Sequence, residues 1–230
     1  MKEKNIQLSF NLKKRKIYEK DDFLVSNSNE EAYKLINTWP NWPSRKAIIF
    51  GESGTGKTHL TNIWKKKTSS TILSLNKFKQ VKLENIFTKK KNFIIENISN
   101  FFEKINVKDK EYLEKHLLHF YNLIEEKKGF LILTASKAPK LWKINLPDLK
   151  SRILSSVAVK IKRPDDALLS SVLIKLFLDK QILINKEVIK FIVRRSERSF
   201  DNLEKKENKL DKKFLITKKK INITFVKKLI

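Results

Sequence analysis

The residues with the clearest chemistry are Gly51-Glu52-Ser53-Gly54-Thr55-Gly56-Lys57-Thr58, which fit G-x-x-x-x-G-K-[ST] at every specified position. Glycines at this spacing let the backbone wrap an oxyanion with its N–H groups turned inward. The lysine neutralises β- and γ-phosphate oxygens, and the threonine hydroxyl can ligate magnesium. Gly51 through Thr58, with the adjoining His59, are therefore candidate ligands for ADP or ATP with Mg2+.

Such a loop works only between a strand and a helix. Lys46 to Phe50 is a short apolar run that feeds it, and helical patterning follows. Thr71–Leu75, Phe93–Ile95, Phe130–Thr134 and Val157–Ile161 are further strand candidates. A helical period of Leu113, Leu117, Phe120, Leu123 and Ile124 fills Glu111–Glu126. Upstream, Asn29–Asn37 reads as a helix broken by Trp39-Pro40-Asn41-Trp42-Pro43. Strands alternating with helices predict an α/β fold: a P-loop parallel sheet with helices on both faces. After Pro164, placed in the first turn of a helix, the segments Asp165–Leu178, Asn185–Arg195, Ser199–Lys212 and Asn222–Ile230 all read as helical. They predict a small all-helical lid.

The 230 residues, 40% of them hydrophobic, suffice for a core in one compact unit or a domain with a small appendage. A formal charge of +26, from 51 Lys+Arg against 25 Asp+Glu, suits an anionic partner. The lysines are also spread among many Ile and Asn, which equally reads as a general bias toward Lys. The absence of cysteine excludes disulfides and thiolate metal sites. His116 and His119 lie one helical turn apart without a convincing carboxylate partner, and read as packing or surface residues. No apolar run approaches ~18 residues, and the basic stretch Met1–Lys16 lacks the apolar segment of a signal peptide. The expectation is a cytoplasmic protein without membrane contact.

Further motifs carry a resemblance. Phe23 to Ala32 is similar to F-[VL]-V-x-x-x-N-x-x-A, and Lys57-Thr58-His59-Leu60 completes G-K-T-H-L. His119-Phe120-Tyr121-Asn122 precedes the strand Leu131-Ile132-Leu133-Thr134, and Leu146-Pro147-Asp148-Leu149-Lys150-Ser151-Arg152 is similar to L-P-D-L-x-S-R. In this order the chain resembles the DnaA/Hda family of bacterial AAA+ replication proteins over nearly its whole length. It is nearer the regulatory Hda type, which lacks a DNA-binding domain. The resemblance implies that Phe23–Ala32 lies near the adenine. It also implies that Arg152 is an arginine finger reaching a neighbouring subunit's γ-phosphate, and that Thr134 or Ser136 is a sensor residue. Gln7-Leu8-Ser9-Phe10-Asn11-Leu12 looks like the family's clamp-docking peptide, with Leu8, Phe10 and Leu12 filling a groove and Gln7 bonding its rim. The six residues alone fit an alternating short strand equally well.

The family pattern is broken twice. Two acids close the corresponding strand in relatives, whereas Glu96 is followed here by Asn97. Glu96 can still hold a magnesium water, but an amide is a poor base, so intrinsic hydrolysis is expected to be weak or absent. The lid arginine aligns with Asp201. Arg198, one turn earlier, could reach inward, or could join Arg194 and Arg195 in a solvated basic face.

The resulting expectations are an arm over residues 1–20, read as extended and mobile and bearing the clamp motif, an AAA+ P-loop domain over 21–162, and a helical lid over 163–230. The resemblance implies an activator of the ATPase of DnaA, not a fast ATPase itself. Its partners would be DnaA and the DNA polymerase sliding clamp, with DNA contacted mainly through the clamp, and it would be associated with the nucleoid and replisome. Self-association stays open. A helix-turn-helix domain would have to follow the lid, so origin recognition by sequence is not expected. An autonomous helicase-loader-type ATPase and a basic DNA-binding accessory protein are the alternatives.

Overall fold

The computed structural model describes residues 22–88, 90–104 and 107–229. The predicted arm, with Gln7 to Leu12, lies outside the described residues.

In chain order the α/β layer comprises α1 (Glu30–Thr38), β1 (Lys46–Phe50), α2 (Lys57–Thr68), β2 (Thr71–Leu73), α3 (Leu75–Gln80), α4 (Leu83–Ile86), β3 (Asn92–Ile95), α5 (Ser99–Lys104), α6 (Val107–Glu126), β4 (Phe130–Ala135), α7 (Pro147–Leu154) and β5 (Val157–Lys160). The five strands are parallel in the order β2-β3-β4-β1-β5, with Ile48 opposite Leu133 and Ala158. This is the predicted parallel sheet with helices on both faces.

Period-two alternation divides the core between the two faces. Ile48, Phe93, Ile95, Leu131 and Leu133 point into a cluster with Phe78, Leu117, Phe120 and Leu149. Ala47, Ile49, Ile94 and Ile132 point the other way, onto Leu35, Ile36, Leu60 and Trp64. Both clusters are almost fully buried, so β1 is clamped from above and below, and the loop that leaves it starts from a rigid base.

The lid is α8 (Asp166–Leu178), α9 (Lys186–Arg194), α10 (Phe200–Thr217) and α11 (Ile223–Lys227) around Leu169, Leu173, Ile189, Ile192, Leu203 and Leu210. Several boundaries differ from the sequence reading. Pro164 is not in a helical turn. It stands before the cap Asp165, whose carboxylate accepts from the Leu168 N–H at 2.7 Å, so α8 starts at Asp166. The strand read over Thr71–Leu75 stops at Leu73, because the Ser74 hydroxyl accepts from Lys77 N–H and caps α3. The helix read over Ser199–Lys212 runs to Thr217, where Lys218 turns into the left-handed region. The last predicted helix is only Ile223–Lys227, started by the Asn222 cap.

Candidate nucleotide site

The loop leaves the carboxyl end of β1, an interior strand between β4 and β5, and opens α2. Gly54 (φ +70°) and Gly56 (φ +99°) adopt left-handed backbone that side-chain-bearing residues resist. Gly51 is required for space: a Cβ there would lie 2.3 Å from the Ile161 carbonyl. Gly56 caps α2 without a side-chain hydrogen bond, and no acid stands in the first turn, so the positive end of the helix dipole faces the loop uncancelled from within α2.

Lys57 is buried, and its Nζ donates to the carbonyls of Gly51 and Glu52, both at 2.7 Å. Burial lowers its affinity for a proton, opposed by the negative charges of Asp201 and Glu52. Thr55 is buried, with its hydroxyl donating to the Glu52 carbonyl at 2.9 Å, and Thr58 and Ser53 are exposed. His59 is half-buried, edge-on to the Phe23 ring, which stacks on Tyr33. Phe23 and Phe200 both pack against Gly56, forming an aromatic corner beside the helix start. The segment after Phe23 is locked by its own polar groups. Asn29 accepts from Ser26 N–H through Oδ1 and donates from Nδ2 to the Leu24 carbonyl. Lys162 N–H donates to the Ser28 carbonyl, which ties this turn to the start of the lid.

Glu96, just past β3, accepts from the Thr61 hydroxyl at 3.3 Å, which places its carboxylate beside the first turn of α2 where Thr58 stands. Asn97 is exposed with φ +56°, a conformation asparagine tolerates, and its N–H donates to Thr134 Oγ1 at 3.0 Å. Thr134 is thus buried and joined to the backbone next to Glu96, whereas Ser136 is paired with the Ser99 hydroxyl.

The lid supplies the other wall. Phe200 N–H donates to the Gly54 carbonyl at 2.7 Å, and the Asp201 carboxylate lies 3.3 Å from where a Cβ on Gly54 would stand. Asp201 is therefore at the loop itself. Arg198 is exposed, pairs with Asp166 at 3.2 Å, and lines a cleft of about 410 Å³ with Glu52, Ser53, Arg163, Ser199 and Asp201. Arg194 and Arg195 do not line it, and Arg195 stacks over Phe191. Arg163 was not anticipated. Its guanidinium donates to Glu52 at 2.7 Å, holding that carboxyl below its usual range. Nothing in local spacing marks an arginine paired with a residue so far upstream in the chain.

Arg152 lies away from this group, in the last turn of α7, half-buried and paired with Asp148 at 3.0 Å. Glu114, buried on α6, anchors that helix by accepting from Asn145 N–H and from Leu146 N–H, the latter at 2.7 Å. His116 and His119 face Phe78 and Glu84, far in the chain from the loop.

Residues 12–161 match the family model for the bacterial DnaA ATPase domain, and residues 171–230 match the model for the Hda lid domain. The chain belongs to the DnaA/Hda family of AAA+ proteins. Among curated relatives, it is 26% identical to the chromosomal replication initiator protein DnaA of Buchnera aphidicola subsp. Cinara cedri, over 100% of this chain and 56% of that protein. It is 25% identical to DnaA of Borreliella burgdorferi over 95% of this chain and 48% of that one. The chain thus spans about half the length of the DnaA proteins it matches. Its fold is that of domain III of Thermotoga maritima DnaA, with a TM-score of 0.76, 18% identity, and 91% and 93% of the two chains covered. AMPPCP-bound DnaA from Aquifex aeolicus superposes with a TM-score of 0.69 at 19% identity, covering 84% of this chain and 64% of that one. In this DnaA/Hda protein no described helix is long and apolar enough to cross a membrane.

Proposed function

We propose that this protein regulates replication initiation in the manner of Hda. It would hold ADP or ATP with Mg2+ as a structural ligand, dock on the sliding clamp through Gln7, Leu8, Ser9, Phe10 and Leu12, and present Arg152 to ATP bound by DnaA. The observation that carries this reading is the pairing of an intact loop with Asn97 beside Glu96 and Asp201 against Gly54. Such a site can bind phosphates through Lys57 and the backbone of residues 51–58, but it has no acid at 97 to take a proton from water and no lid arginine at 201. The Hda-type lid match and the AMPPCP held by the Aquifex DnaA support it.

The loop would suit the phosphates of a nucleotide: Gly54 and Gly56 hold left-handed backbone around it, and the start of α2 carries no competing acid. Lys57 would exchange two carbonyl partners for phosphate oxygens, and His59 and Phe23 would flank the base. Thr58 and Glu96 would hold Mg2+, which when bound neutralises phosphate charge. Thr134 fixes the backbone after Glu96, and Arg198 stands ready at the lid side of the cleft. Arg152 leaves only an exposed i,i+4 pair when it reaches across to a partner, a loss worth little. The exposed Leu154 beside it suits a protein surface. An arginine inserted at a γ-phosphate stabilises the charge that develops as the phosphoryl group departs.

The test is ATP hydrolysis by DnaA with clamp loaded on DNA, measured with wild type, Arg152→Ala and Gln7→Ala/Leu8→Ala proteins, and without DnaA. Stimulation that needs DnaA and loaded clamp, and that both variants lose while still binding nucleotide, supports the reading. Equal turnover without DnaA, or a silent Arg152→Ala, overturns it in favour of an autonomous ATPase or a basic DNA-binding accessory protein.

A further inference from the structure

Glu52, the second residue of the phosphate loop, is an acid in a place built for anions. Its backbone is fixed there, since its carbonyl accepts from Lys57 Nζ at 2.7 Å and from the Thr55 hydroxyl at 2.9 Å. The carboxylate is thereby tethered to the loop, and it faces the lid-side cleft with Asp201 and Glu197. An unanswered carboxylate in this position repels a polyphosphate, and repels a triphosphate more than a diphosphate because the triphosphate carries more negative charge.

Arg163 answers that charge from outside the loop. Its Nε donates to Glu52 Oε2 at 2.7 Å, and its Nη2 meets the same oxygen. Lys57 and Lys160 act on this carboxylate only through their charge. The segment that carries the arginine is held on both sides. Ile161 N–H donates to the Phe50 carbonyl at 2.7 Å, Lys162 N–H donates to the Ser28 carbonyl at 2.9 Å, and Pro164 is buried. A residue that precedes proline is confined to extended backbone, so Arg163 has little freedom to turn away. Stability does not account for the pair: the two side chains are 61% and 58% exposed, and exposed ion pairs contribute little. Arg198, the other arginine of the cleft, is engaged by Asp166 at 3.2 Å.

We propose that Arg163 is a positioning residue that sets nucleotide affinity and the balance between ADP and ATP: by holding and neutralising Glu52, it makes the loop acceptable to a polyphosphate. The role rests on the reading of the loop as a nucleotide site. Arg163 acts through Glu52 and needs no contact with the nucleotide itself. The cleft sets Glu52, Glu197 and Asp201 against Arg163, Arg198 and Lys205, three acids against three bases. Removing Arg163 leaves net negative charge beside the phosphates, and the residue it frees is the one tethered to the loop.

Titration calorimetry of the full chain with ADP and with AMPPCP, each with Mg2+ at about 0.1 M salt, tests this. Arg163→Gln is expected to weaken AMPPCP roughly 10-fold and ADP roughly 3-fold, with both losses shrinking at about 1 M salt. Arg163→Lys, which keeps the charge, is expected to retain most of the affinity. Glu52→Gln/Arg163→Gln is expected to recover binding to within about 2-fold of wild type, because the charge that Arg163 answers is gone. A merely structural arginine would show no such rescue. Lys162→Gln removes the same charge from the adjoining exposed residue and is expected to change either affinity less than about 2-fold. A silent Arg163→Gln, a loss that persists in the double variant, or an equal loss in Lys162→Gln would overturn the role. If wild type binds neither nucleotide, the nucleotide reading itself fails and takes this role with it, whereas binding by wild type with a silent Arg163→Gln removes this role alone.

Discussion

The Phe200 backbone N–H donates to the Gly54 carbonyl at 2.7 Å, so the lid is pinned through the first residue of α10 to the middle of the phosphate loop. Ser199 caps the same helix through Asn202 N–H and presses its Cβ to within 2.7 Å of where a Gly54 side chain would begin. Loop and lid are one mechanical unit at this point. Gly54→Ala is therefore expected to strain a positive-φ residue and to push α10 away, costing about 2 kcal/mol or more. Urea unfolding followed by circular dichroism would register this as a lower midpoint, and an unchanged midpoint would mean that the contact is dispensable.

Asp201 brings a negative charge to a loop built for anions, so it opposes a triphosphate more than a diphosphate. Asp201 is exposed, and in water one unit charge about 4 Å away is worth about 1 kcal/mol. Titration calorimetry of Asp201→Asn is expected to show affinity for an ATP analogue rising roughly 5-fold more than affinity for ADP. An equal rise for both would place the carboxylate away from the terminal phosphate.

Lys57 has its charge satisfied by two carbonyls before any ligand arrives. Lys57→Met removes the cation that would exchange onto phosphate, and nucleotide binding is expected to weaken roughly 100-fold, the worth of one or two charge-assisted bonds. The fold is expected to survive.

Glu114 acts at a distance from Arg152 through α7. Its buried carboxylate holds the two N–H groups that lead into that helix, and Glu114→Ala would leave them without an acceptor. A stability loss of about 2–4 kcal/mol is expected. Glu114→Gln keeps one acceptor oxygen and is expected to recover part of it.

His116 donates from Nε2 to the Phe78 carbonyl at 2.9 Å, and burial lowers its pKa below the ordinary 6.5. The unfolded chain then binds this proton more readily than the folded one, so stability is retained above pH 6.5 and falls as pH drops below that value. Urea midpoints at pH about 5 and about 7 are expected to differ in this sense for wild type, and to converge in His116→Gln.

The loop and its flanking strand were legible because their requirements are local: glycines at fixed spacing, an apolar run before, a helix after. The five strands were legible for the same reason, since Ile48, Ile94 and Ile132 sit in short runs buried on both faces. The short helices α3, α4 and α5 were not, because four to six residues carry too little period to stand out. Arg163 on Glu52 and Glu114 on Leu146 escaped because they join residues 111 and 32 positions apart. Asp201 was found from the family pattern alone, and its approach to Gly54 depends on a backbone bond that no side chain encodes.

The aromatic packing has a spectroscopic consequence. Trp42 stacks on Trp64 at 5.7 Å with Trp39 edge-on beside them, and Trp142 stacks on Phe102, so all four tryptophans of the chain belong to the α/β layer. The lid has none, so a change confined to it is dark to intrinsic tryptophan emission. Phe200→Trp would place an indole against Gly56 where the lid is pinned to the loop, giving the chain's blind half a reporter.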